Sequence, residues 1–136
     1  MKFVDANVFV RVIARDEATM LAASQAFFSR LDRQEESATT SEGILGEVVY
    51  VLASPRLYGH SRIHIRDRLI ALLVFRGWNL PDRGIWIRAL RLYATREHLS
   101  FPDALAASHV AVRGLESIVS YDRDFDRIPG IKREEP

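Results

Sequence analysis

The sequence predicts an α/β fold in which a small, mainly parallel, twisted sheet of four to five strands is flanked by helices. Two observations carry this expectation. Short apolar stretches of strand character alternate with helical patterns of ten residues or more, the length a parallel pair needs for its crossover. The first and a late strand candidate each end on an aspartate, Asp5 and Asp122, and in open α/β sheets ligands bind beyond the carboxyl ends of the strands.

The elements follow in order along the 136 residues. Residues 2–5 read as a short buried strand, and 7–14 and 17–31 carry helical spacing (Val8, Val12; Met20, Ala23, Phe27, Leu31) around the break "RDEAT". The charged loop "DRQEES" precedes a second strand at 37–40. "SEGILGEVVYVLAS" is a helix stopped by Pro55, because a residue before proline is pushed out of the helical region. After the loop "PRLYGHS", residues 62–75 form an amphipathic helix with Gly77 expected at its C′ position. "WNLP" is a small strand, 83–97 and 101–113 are helices with Gly114 stopping the second, and "ESIVSYD" and "GIKRE" are the last strands. No repeat, low-complexity segment or linker interrupts the chain, so one domain over 1–136 is expected.

Composition narrows the function. The absence of cysteine excludes disulfides, thiolate metal sites and a cysteine nucleophile, and fits a cytoplasmic protein. The N-terminus lacks a signal peptide pattern, and no apolar run approaches the roughly 20 residues of a membrane span. Net charge is only +1, yet nine arginines (56, 62, 66, 68, 76, 83, 88, 91, 96) face three acids (Asp67, Asp82, Glu97) between Arg56 and Glu97. That middle stretch suits a polyanion, since arginine binds phosphate bidentately and independently of sequence.

Carboxylates are the other signal. Asp5 and Asp122 would repel each other on one sheet edge unless a cation sat between them. Glu47 stands among Val48, Val49, Val51 and Leu52, where an acid is either a solvated face or a ligand aimed into a site. Glu42 fits a capping box with Thr39 and ranks second. Asp103 lies three residues after Ser100, a natural N-cap, where an acid is favoured by the helix dipole whatever its function. The small residues Ala104, Ala106, Ala107 and Ser108 would let that helix lie close against the sheet.

With these residues in place, the chain resembles the PIN-domain family, and within it the VapC-like toxin ribonucleases of type II toxin–antitoxin pairs. The matching pieces are "FVDANVFV", "TTSEGILGEVVYVL", "FPDALAASHV" and "VSYDRDFDRIPGI", in that order. The resemblance implies a PIN-like three-layer α/β/α sandwich and a Mg2+- or Mn2+-dependent endoribonuclease. It puts Asp5, Glu47, Asp103 and Asp122 at the acidic catalytic and metal positions, with Asp124 as a further metal candidate. Asn7 and Ser120 would support them, while Asp126 reads as surface charge. It also implies an RNA substrate, a homodimer and a small antitoxin partner; Leu57, Tyr58, Phe75 and Trp86 are apolar candidates for such surfaces.

The chemistry agrees with hard divalent cations, which take oxygen ligands and need no nitrogen or sulfur. Arg11, Arg15, Arg56, Arg62 and Arg83 are candidate contacts to RNA phosphates. His60 and His64 are four apart, but His60 precedes the helix start, which argues against a zinc site. No serine has a nucleophile-elbow context and no glycine loop cradles phosphate. Two other classes compete: a non-catalytic PIN module that binds RNA or protein, and a phosphatase using Asp5 as nucleophile, which would want a second aspartate where this chain has Asn7.

Overall fold

In the computed structural model, which describes residues 1–136, backbone hydrogen bonds run in the order β1 (Lys2–Phe3), α1 (Ala6–Ala14), α2 (Ala18–Asp32), β2 (Ala38–Thr39), α3 (Glu42–Ala53), α4 (Arg62–Leu73), α5 (Arg83–Thr95), α6 (Phe101–Arg113), β3 (Ile118–Val119) and β4 (Arg133–Glu134). A 3-10 helix, Arg123–Arg127, lies between β3 and β4. The chain forms two compact units, Met1–Pro81 and Asp82–Pro136. Both strand pairs are parallel, β1 with β2 and β3 with β4, and Trp78 adds a parallel bridge to Ala38. The mixed α/β character and the parallel pairing match the expectation, while the four strands form two two-stranded parallel sheets, one in each unit, with the "WNLP" stretch contributing a single bridge to the first.

The first unit is organised around three rings. Phe9 of α1 stacks on Trp78 with centroids 5.7 Å apart and planes within 3°, and Phe28 of α2 tilts against both at 5.5 and 6.2 Å. The indole N–H of Trp78 donates to the Leu72 carbonyl at 2.8 Å, so the buried ring leaves no donor unpaired. Leu31, Leu45, Val48, Leu52, Ile65, Leu69 and Leu73 fill the rest and are buried. In the second unit α5 packs on α6, with Tyr93 edge-on to Phe101 at 5.7 Å. Leu99, Ala107, Phe125 and Ile128 form a core cluster there, with Ile118 of β3 and Ala106 against it. The small residues of α6 therefore do bring that helix close to a strand.

Several local expectations change. Residues 2–5 are not a buried strand: Phe3 is 59% exposed and only Val4 of this stretch is buried. Gly77 does not cap α4, which ends at Leu73 with Val74 as C-cap in right-handed conformation. A Cβ at Gly77 would run into the backbone carbonyls of Glu36 and Leu31, so close approach explains the glycine. The Thr39–Glu42 capping box is absent, since Thr39 lies in β2 and Ser41 caps α3 by accepting the Ile44 N–H at 3.2 Å. Trp86 is buried and serves the core, whereas Leu57 is exposed.

Gly77→Ala therefore has to displace main chain. Urea unfolding should show a loss of about 2 kcal/mol or more, whereas Gly46→Ala, where a Cβ meets nothing within 4 Å, should be neutral or stabilising.

Candidate metal and nucleic-acid site

Asp5 owes its position to a pair of neighbours. The Val4 N–H donates to the Thr39 carbonyl at 2.9 Å, and the Thr40 hydroxyl, itself buried, donates to the Val4 carbonyl at 2.8 Å. The chain then leaves β1 and enters α1 with Asp5 as N-cap. An aspartate there ordinarily accepts a first-turn amide, but the Asp5 side chain makes no such bond and stays exposed. Ser41, Ser61 and Ser100 all cap their helices with side-chain oxygens. Asp5 keeps both oxygens free of the first-turn amides, as does the exposed Asp82 at the start of α5, but of the two only Asp5 stands at the end of a strand.

Asn7 is exposed in the first turn of α1. Two clefts open beside these residues: one of about 400 Å3 bordered by Phe3, Asp5, Val8 and Phe27, and one of about 270 Å3 bordered by Asn7, Arg11, Met20 and Ser24. Glu47 is exposed on α3, with Val48 and Val49 beside it in the core.

The second unit carries the remaining acids. Asp103 is half-buried in the first turn of α6, its amide donating to Ser100 Oγ at 3.2 Å. Asp122 caps the 3-10 helix, accepting the Asp124 N–H at 2.9 Å, while its own N–H donates to Ser120 Oγ at 3.0 Å. The "DRDFD" acids are thereby sorted. Asp126 is held by the Arg133 guanidinium at 2.9 and 3.3 Å, and that hydrogen bond keeps its carboxyl below the usual range. Asp124 is half-buried.

Asp5 and Glu47 thus belong to the first unit, and Asp103, Asp122 and Asp124 to the second. Within neither unit do three His, Cys, Asp or Glu side chains gather at metal-holding spacing. The donors suit Mg2+ or Mn2+ in kind, being carboxylate oxygens with the accessibility that a partly hydrated ion needs.

The arginines differ among themselves. Arg15 and Arg56 are exposed, Arg15 in left-handed conformation at φ 57° where α1 ends. Arg62 and Arg83 are half-buried. Arg11 is engaged: it donates to Asp16 at 3.2 and 3.3 Å and faces the Tyr58 hydroxyl at 3.5 Å, and Tyr58 donates to Asp16 at 2.6 Å. This triad ties the loop after α3 to the α1–α2 turn. Sequence offered no sign of it, because the partners are 42 and 47 residues apart. His60 and His64 do meet, edge to face at 4.7 Å.

The chain matches the PIN-domain family model over residues 2–131 and belongs to that family. PIN domains are generally a nuclease fold, so the class is that of a nuclease-type α/β domain. No curated protein matches the chain. No helix is long and apolar enough to cross a membrane.

The triad has a measurable pH signature. The Tyr58 hydroxyl, and after it Arg11, hold the Asp16 carboxyl below its ordinary value. A group lowered in the folded state contributes stability above its unfolded pKa, near 4, and loses it as pH falls through the folded one. Tyr58→Phe should raise the Asp16 pKa in a carboxyl NMR titration. His60 is lowered by burial and then by His64. The unfolded chain therefore takes up that proton first, and stability should fall on acidification below about pH 6.5, less steeply in His60→Gln.

Proposed function

We propose that this protein is a Mg2+- or Mn2+-dependent endoribonuclease, the toxin of a type II toxin–antitoxin pair. The observation that carries the proposal is Asp5, a carboxylate placed at the end of β1 by buried hydrogen bonds and left uncapped and exposed. An exposed carboxylate with no backbone amide to hold it is accessible to a hydrated divalent cation, which supports this reading. In this reading Asp5, Glu47, Asp103 and Asp122 are the catalytic and metal-binding acids, with Asp124 beside them.

When bound there, a divalent cation supplies Lewis-acid chemistry toward a phosphodiester. The protein's own residues do the rest. Asn7 offers an amide to substrate or water, and Ser120, through its bond to the Asp122 N–H, orients that acid. Arg15 and Arg56, both exposed, offset the repulsion between the acids and RNA phosphates. Leu57, Ile63 and Val74, each more than half exposed, support a homodimer or antitoxin surface. The absence of cysteine supports a reducing cytoplasm.

Cleavage of a structured RNA in Mn2+ tests the reading. Wild type should cut and EDTA should stop it, while Asp5→Asn should slow cleavage about 100-fold or more with its circular dichroism unchanged. Equal rates in both proteins would refute the mechanism, and no cleavage of any RNA would favour a non-catalytic binding module.

A further inference from the structure

One face of α5 is packed into the protein: Ile85, Trp86, Ala89, Leu90 and Tyr93 are buried. The other carries a groove of about 630 Å3, lined by Gly84, Ile87, Arg88, Arg91, Leu92 and Thr95. Positions 84, 88, 91 and 95 recur at helical spacing, so they form one stripe along three turns. Arg88 and Arg91 are exposed on it.

These two arginines lack what five others in the chain have. Arg11, Arg30, Arg33, Arg66 and Arg133 each pair with a carboxylate, but neither Arg88 nor Arg91 has an ion pair. Helix α5 contains no acid, although the chain has 18. The Thr95 hydroxyl is already bonded to the Arg91 and Leu92 carbonyls at 3.1 and 3.3 Å. The two guanidinium groups are therefore the main free donors of the groove. At Gly84 a Cβ would meet nothing within 4 Å, so the first turn is open to a passing chain.

We propose that this groove holds the sugar–phosphate backbone of single-stranded RNA, with Arg88 and Arg91 each meeting one phosphate. The choice of RNA rests on the nuclease reading above. The two side chains stand one turn apart, with Cβ atoms about 5–6 Å from each other, and each can take a phosphate with two parallel hydrogen bonds. Ile87 and Leu92 offer an apolar wall to the sugars. No amide or carboxylate side chain lines the groove to read a base, so binding here is independent of sequence.

Fluorescence anisotropy with a labelled oligouridylate of about 12 nucleotides, in EDTA to silence cleavage, tests the proposal. Arg88→Ala/Arg91→Ala should weaken binding about tenfold and lower the salt slope by about 1.4, at about 0.7 per phosphate. Gly84→Glu is the complementary variant. Its acid sits in the first helical turn, which the dipole favours, and four residues before Arg88, which it can pair. Its melting temperature should hold or rise while RNA affinity falls.

Wild-type affinity and slope in both variants would overturn the proposal, and if wild type still cleaves RNA the nuclease reading stands without it. Arginine-dependent binding by a protein that never cleaves would leave the groove standing and the nuclease reading fallen. Binding of a hexaglutamate peptide but not of RNA would overturn it in favour of an acidic protein partner.

Discussion

The bond from the Thr40 hydroxyl to the Val4 carbonyl is small, but it fixes where β1 stops. A buried carbonyl at a strand end must be paired, and pairing it with a side chain just beyond β2 frees the chain to turn into α1. Asp5 is then delivered to the helix start with its backbone committed and its carboxylate free. Phe9, one turn further on, locks the orientation by stacking on Trp78. Strand end, helix direction and acid placement are one constraint.

The same economy appears in the second unit. Ser100 caps α6 and places Asp103 in its first turn; Asp122 caps the 3-10 helix and leans on Ser120. Structural and ligand roles are not alternatives for Asp122, whose second oxygen is free of that bond. Asp126, by contrast, is consumed by Arg133. The triad of Arg11, Asp16 and Tyr58 likewise removes one cation from those available to a substrate, which shifts attention to arginines without partners.

Much of this was legible in the sequence because it is local. Helix starts at Ser61 and Ser100 and the stop at Gly114 follow from residues within one turn of the boundary. What was not legible depends on distant backbone. Gly77 looked like a cap and is instead a close approach to carbonyls contributed by the α2 end and the loop after it. The 3-10 helix is too short for periodicity to show. Arg11 looked free because Tyr58 is remote in sequence. At the candidate site, spacing and resemblance pick out the acids, but the uncapped state of Asp5 depends on how α1 leaves β1, since aspartate at an N-cap ordinarily spends its charge there.

The central claim is that the free carboxylates exist to bind a hard cation. Electron paramagnetic resonance of Mn2+ titrated into the protein, without RNA, addresses it directly. Wild type should deplete the free-ion signal saturably, and Asp5→Asn and Asp103→Asn should each weaken that binding about tenfold or more. Mn2+ binding that is absent in wild type, or identical in both variants, would contradict the account.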